Sequence, residues 1–172
     1  MSASRTLVLG GARSGKSRYA ESLVTTLPPP WVYVATGQAL DAEMAQRIEA
    51  HRSRRGPGWS TVETPRDLVG LLERQANAPI LVDCLTLWLS NLMMADAAVE
   101  TEIDRLSAAL AKLTAPVVMV ANEVGSGIVP DNALARRFRD LQGLVNQRMA
   151  AQAERVVLMV AGLPLFIKGG PG

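Results

Sequence analysis

Gly10-Gly11-Ala12-Arg13-Ser14-Gly15-Lys16-Ser17 follows the apolar run Thr6–Gly10 and precedes the helix-like run Lys16–Leu27. The stretch satisfies the pattern G-x-x-x-x-G-K-[ST] in full, and a strand before it with a helix after it is the setting that pattern requires. Glycines are needed because the backbone must curl with its N–H groups pointing inward, where side chains would block a phosphate. The helix N-terminus adds partial positive charge. Gly10 to Ser17 therefore read as a phosphate-binding loop for a nucleoside triphosphate. Lys16 reaches the β- and γ-phosphates, and the Ser17 hydroxyl is placed to ligate Mg²⁺.

Outward from the loop, strand-like runs recur at Trp31–Ala35, Trp59–Glu63, Ile80–Asp83, Val117–Ala121, Val156–Ala161 and Leu165–Lys168. Several are unbroken aliphatic runs, as expected of strands covered on both faces. Helix-like segments lie between them at Asp41–Arg55, Arg66–Gln75, Leu85–Ala95, Glu100–Leu113 and Asn132–Glu154. This alternation predicts an α/β fold of the P-loop NTPase kind, with a mostly parallel sheet of about seven strands and helices on both faces. The end of the chain reads as a strand, a tight turn at Gly162-Leu163-Pro164 and a returning strand, which predicts one antiparallel edge. Residues 1–172 read as one nucleotide-binding domain, since 172 residues is near the usual size of one.

Apolar residues make up 48% and charged residues 20%, an ordinary balance for a globular protein. A lone cysteine, Cys84, permits no intramolecular disulfide and suggests a reducing, cytoplasmic setting. Met1 to Arg5 is too short and polar for a secretory signal. The apolar stretch Ala78–Ala95 contains Pro79, Asp83, Ser90 and Asn91, so it reads as a buried strand and helix and no membrane span is expected. Net charge is only +2, yet residues 47–55 set Arg47, Arg52, Arg54 and Arg55 against the single acid Glu49. Such a compact cationic patch suits a small polyanion. Nucleic acid usually meets a broader basic face interleaved with aromatics, which are only 4% here.

Asp83, ending Ile80–Asp83, is placed to hold the metal's water shell, and it is equally a good cap for the next helix. Glu123 is a weaker second candidate for metal or base. The guanine-reading motif Asn-Lys-x-Asp is missing, because Asn122-Glu123-Val124-Gly125 lacks its Lys and Asp. His51 is the only histidine. On the residues alone two readings stay open for it. It can be a core-edge residue on a helix with a solvated basic end, or a nucleophile kept neutral by neighbouring guanidinium groups and served by them as a triphosphate loses pyrophosphate. Arg136, Arg137, Arg139 and Arg148 read as a solvated or intersubunit face. Trp31 and Trp88 read as packing residues, and Trp59 either packs or borders a bound ligand.

Further segments stand in order along the chain: Tyr33-Val-Ala-Thr-Gly-Gln38, Arg47-Ile-Glu-Ala-His51, Leu81-Val-Asp-Cys-Leu-Thr86, Asn122-Glu-Val-Gly-Ser-Gly-Ile-Val-Pro130 and Arg139-Asp-Leu-Gln-Gly-Leu-Val-Asn-Gln-Arg148. Together with the loop they resemble the bifunctional adenosylcobinamide kinase/adenosylcobinamide-phosphate guanylyltransferase family of cobalamin biosynthesis, from about Thr6 to Lys168. The resemblance implies a RecA-like fold, a propeller-shaped homotrimer and two reactions. ATP or GTP phosphorylates the aminopropanol hydroxyl of adenosylcobinamide. GTP then guanylylates a histidine with release of pyrophosphate, and GMP passes to the cobinamide phosphate to give adenosylcobinamide-GDP. By position the guanylylated residue is His51. Thr36, Gly37, Gln38, Arg52, Ser53, Arg54, Arg55, Glu63 and Asp83 would lie at the nucleotide.

Overall fold

The computed structural model describes residues 4–39, 42, 46, 49, 53, 55–75 and 77–170. In chain order its elements are β1 (Arg5–Gly10), α1 (Lys16–Val24), β2 (Trp31–Ala35), β3 (Trp59–Glu63), α2 (Leu68–Arg74), β4 (Ile80–Asp83) and α3 (Leu85–Met94). They continue with α4 (Val99–Lys112), β5 (Val117–Asn122), α5 (Ala133–Gln152), β6 (Arg155–Val160) and β7 (Leu163–Lys168). The strands form one seven-stranded sheet in the order β3-β2-β4-β5-β1-β6-β7. Every neighbouring pair is parallel except β6 with β7.

The central strands are apolar throughout because both sheet faces are covered. One face packs Val8, Leu81, Val118, Val120 and Val157 against Ala20 and Val24 of α1. The other packs Leu7, Val34, Val82 and Met119 against Leu68 and Leu72 of α2, Trp88 and Leu89 of α3, Ile103 and Leu106 of α4, and Val145 and Met149 of α5. Trp88 is fully buried and donates from its indole nitrogen to Arg66 O at 2.9 Å, in keeping with its reading as packing. Among the described residues no helix is long and apolar enough to cross a membrane.

Caps set the helix ends where apolar periodicity leaves them vague. The second helix begins at Leu68 rather than Arg66, because the Asp67 carboxylate accepts from Gly70 N–H at 3.1 Å. The long helix begins after Asn132, whose Oδ1 accepts from Ala135 N–H at 2.7 Å, and it stops at Gln152 so that Arg155 can enter β6. Helix α1 stops at Val24, three residues before Leu27, where the Thr26 hydroxyl caps Leu23 O. Of the expected helix Asp41–Arg55, residues 42, 46, 49 and 53 are helical. Its other members before Arg55 lie outside the described residues, and His51, Arg47, Arg52 and Arg54 are among them.

The C-terminal turn is a correction. It falls at Ala161-Gly162, with φ of 51° and 82°, and not at Gly162-Leu163-Pro164. A two-residue hairpin between twisted strands favours positive φ at both central positions. Pro164 sits inside β7 without harm because an edge strand need not donate outward.

Arg5 and Glu154 close the N-terminal end of β1 onto the α5–β6 junction. The Arg5 backbone N–H donates to the Glu154 carboxylate at 2.5 Å and the Arg5 guanidinium at 2.6 Å. Burial alone would raise the Glu154 carboxyl, but the Arg5 hydrogen bonds outweigh it and hold the group below its ordinary 4.5. This contribution is therefore complete above that ordinary value and fades as pH falls through the lower folded one. With the Glu154 side chain 44% exposed, Glu154→Gln is expected to cost about 0.5–1 kcal/mol at pH 7. Urea melts should show that difference shrinking at pH 3.

Candidate nucleotide site

A parallel sheet delivers the C-terminal ends of its strands to one edge, and ligands of open α/β sheets bind there. Along that edge stand Glu63 of β3, Ala35 leading into Thr36-Gly37-Gln38, Asp83 of β4, Asn122 of β5 and Gly10 of β1. Adjacent strands lie about 4.8 Å apart, so Asp83 is two strands, about 10 Å, from the loop, and Glu63 four strands, about 19 Å. Glu63 meets a nucleotide held by the loop only if the nucleotide runs along the edge towards β3.

Gly10 to Ser17 form the turn the motif demands. A Cβ on Gly10 would collide with the Ser14 hydroxyl oxygen and stand 3.0 Å from Met159 O, so only glycine fits there. Gly15 caps α1 with φ 93°, a left-handed conformation that glycine adopts without strain. Arg13 takes the same region at φ 54°. The Ser14 carbonyl accepts from Gly162 N–H at 3.0 Å, so the β6–β7 turn braces the loop from behind. Between them, Gly11, Ala12, Arg13, Ser14, Glu123 and the end of β6 line a groove of about 450 Å³. The Lys16 ammonium donates to Gly11 O at 3.0 Å, which keeps it across the mouth of the loop.

Asp83 is half-buried, and its Oδ2 accepts from the Tyr33 hydroxyl at 3.0 Å. Burial, and then the Asp83 charge, hold the Tyr33 phenol well above its ordinary range, so that hydroxyl stays a donor. The Arg55 guanidinium lies 3.6 Å from the centre of the Tyr33 ring, and Trp59 meets the ring edge-on at 6.1 Å. Trp59 also packs on Trp31 at 5.4 Å. Beside Asp83, burial pushes the Cys84 thiol up to about 11, which leaves it neutral.

Thr36 is fully buried, and its hydroxyl is engaged on both sides: it donates to Cys84 O at 2.7 Å and accepts from Cys84 N–H at 2.8 Å. Asn91 of α3 grips the same corner, donating to Thr36 O at 2.8 Å and Pro65 O at 3.0 Å. In this arrangement Thr36 fixes the backbone that carries Asp83, while Gly37 and Gln38 lead away from it. Ser53 donates back to Glu49 O at 2.7 Å, one helical turn earlier. Glu123 bonds through its N–H to Gly10 O at 3.2 Å. Its carboxylate accepts from Ser126 and from Gly125 N–H, which hold it below the usual carboxylate range. Glu123 thus closes its own turn.

A polar cluster under the loop escaped the sequence reading. Asn122, paired in register with Gly10, donates its N–H to the Thr86 hydroxyl at 2.7 Å and accepts at its carbonyl from Asn146 at 3.1 Å. Gln142, fully buried on α5, donates to Asn146 Oδ1 at 2.9 Å. The signal was a Gln and an Asn four residues apart on an otherwise apolar stripe. Three arginines of α5 make contacts within the chain: Arg136 donates to Pro130 O and Asp131 O at 2.9 and 2.7 Å, Arg139 pairs with the adjacent Asp140, and Arg148 pairs with Asp104 of α4.

The Gly10–Ser17 loop after β1, set in a mostly parallel seven-stranded sheet with one antiparallel edge, gives the chain a P-loop α/β fold of the RecA-like kind. The fold is shared with a RadB recombinase (TM-score 0.51, 16% identity, covering 90% of this chain and 73% of that one) and with a protein from Pyrococcus horikoshii OT3 (TM-score 0.54, 7% identity, 98% and 87%). The profile of the cobinamide kinase/cobinamide phosphate guanyltransferase family matches residues 6–167, and the chain belongs to that family. It is 46% identical to the bifunctional adenosylcobalamin biosynthesis protein CobP of Pseudomonas aeruginosa, covering 97% of this chain and 99% of that protein. It is 45% identical to the CobU protein of Salmonella typhimurium, covering 94% and 98%.

Proposed function

We propose that the protein phosphorylates the aminopropanol hydroxyl of adenosylcobinamide with ATP or GTP and then guanylylates the resulting phosphate through a covalent His51–GMP intermediate. The observation that carries this reading is the shared sheet edge. The Gly10–Ser17 loop, Asp83 and, through Tyr33, the Arg55 end of the arginine-rich segment stand along one sheet edge in a chain whose family pairs the two activities.

In the kinase step the loop N–H groups and Lys16 hold the β- and γ-phosphates. The substrate hydroxyl attacks the γ-phosphorus and loses its proton, and the nucleoside diphosphate leaves. In the transferase step the His51 imidazole attacks the α-phosphorus of GTP and pyrophosphate leaves, its charge met by the loop and by Arg52, Arg54 and Arg55. A phosphate oxygen of the cobinamide phosphate then breaks the phosphorus–nitrogen bond and takes GMP. Gln38 and Glu63 are assigned to the nucleotide beyond its phosphates.

Ser17 and Asp83 offer a hydroxyl and a carboxylate, a hard-oxygen pair that suits Mg²⁺ completed by phosphates and water. Among the described residues no cluster of three or more His, Cys, Asp or Glu competes for such an ion. When bound, Mg²⁺ supplies charge neutralisation to the phosphates. Its assigned holders are those two residues.

We place the protein in the cytoplasm, which its free, buried Cys84 supports, and take it to be a homotrimer. Exposed Met94, Ile128, Val129 and Leu134 give apolar surface for such contacts. A sedimentation mass of one chain would contradict the trimer. For the chemistry, incubation with adenosylcobinamide, GTP and Mg²⁺ should yield adenosylcobinamide-GDP and pyrophosphate by mass spectrometry. Accumulation of the cobinamide phosphate alone would reduce the protein to a kinase.

A further inference from the structure

Tyr33 and Asp83 do not face each other directly across the sheet. Tyr33 pairs with Leu81, and Asp83 is two residues further along β4 on the same face. A diagonal neighbour at that offset lies about 7–8 Å away, within reach of a long aromatic side chain and beyond a short one. The Tyr33 hydroxyl spans the gap and meets Asp83 Oδ2 at 3.0 Å.

On its other side Tyr33 pairs with Thr61 of β3, and Arg55 reaches both of these residues. The guanidinium carbon is 3.6 Å from the ring centre, and one terminal nitrogen is 3.4 Å from the Thr61 hydroxyl. The other terminal nitrogen is buried and has no hydrogen-bond partner among the described residues. A guanidinium held over a ring face by cation–π attraction can still offer N–H groups to an oxyanion. Tyr33 is only 5% exposed and its ring meets Trp59 edge-on, so it is a fixed platform.

We propose that Tyr33 is a positioning residue that serves two parts of the nucleotide site at once, its hydroxyl orienting the Asp83 carboxylate and its ring holding the Arg55 guanidinium. The proposal rests on the assignment of Asp83 and Arg55 to the nucleotide site made above. It separates two functions on one side chain: the hydroxyl governs how the Asp83 carboxylate is oriented, and the ring governs the cation.

The test compares Tyr33→Phe, which keeps the ring, with Tyr33→Leu, which keeps neither part. The readout is the affinity for a fluorescent non-hydrolysable GTP analogue, in EDTA and across a Mg²⁺ titration, with thermal melting alongside. Tyr33→Phe should raise the Mg²⁺ concentration for half-maximal enhancement of binding by about tenfold, the worth of a hydrogen bond to a charged group. Its affinity in EDTA should stay within about twofold of wild type, since the ring–cation contact is intact. Tyr33→Leu should lose about fivefold in EDTA as well, because that contact goes. A Phe variant that titrates with Mg²⁺ like wild type overturns the proposal alone, as do Phe and Leu variants that lose affinity in EDTA equally. A wild-type protein that fails to bind the analogue overturns the reading of the phosphate loop and this proposal with it. A general loss of folding would instead lower melting and EDTA affinity in the Phe variant, which also counts against a positioning role.

Discussion

His51→Ala is expected to lower guanylyl transfer by at least about 10⁴-fold, because removal of a nucleophile leaves only the binding and charge-stabilising parts of a site. Phosphorylation of adenosylcobinamide by the same variant should fall by no more than about tenfold, the range of a lost positioning contact rather than of a lost reacting group. The asymmetry follows from which phosphorus is attacked. In the proposed mechanism a hydroxyl of the substrate attacks the γ-phosphorus, whereas the His51 imidazole attacks the α-phosphorus. No other imidazole is present to substitute, and Cys84, buried with its thiol raised to about 11, is no replacement nucleophile. Separate assays of cobinamide phosphate formation and of pyrophosphate release from GTP measure the two effects. Equal losses in both would place His51 in the common binding of nucleotide.

Lys16→Ala is expected to damage both reactions together, each by about 10²–10³-fold, the usual worth of one charged donor aimed at a transferring phosphate. On the proposed reading both reactions lodge the terminal phosphates in the same loop, and Lys16 stands across its mouth, bonded to Gly11 O at 3.0 Å. Lys16→Arg should recover little, because a planar fork cannot follow the point-like ammonium into a loop this tight. Steady-state rates with saturating and limiting GTP check this. A loss confined to one of the two activities would show that the reactions use separate phosphate sites.

The sheet was legible because its strands are short apolar runs and one motif fixed where β1 ends and α1 begins. Strand order followed less directly, but a loop at the end of β1 and an acid at the end of another strand already implied a shared edge. What apolar periodicity left vague were boundaries set by single polar atoms, such as the Asp67 and Asn132 caps, and the hairpin turn at Ala161-Gly162. In the site, the loop, Asp83 and Arg55 were nameable from the chain alone. Their mutual arrangement was not, because the Tyr33–Asp83 bond joins residues fifty positions apart. Thr36 shows the same limit from the other side. A threonine after a strand looks available for a ligand, and only the fold reveals its hydroxyl closed on the Cys84 backbone.

The most direct test of the central claim is the intact mass of the wild-type chain after incubation with GTP and Mg²⁺, followed by addition of adenosylcobinamide phosphate. One guanylyl group per chain should be gained, labile in acid and stable in alkali as a phosphorus–nitrogen bond is, and it should leave when the acceptor is added. A chain of unchanged mass that still forms adenosylcobinamide-GDP, or an adduct that persists in His51→Ala, would contradict the account.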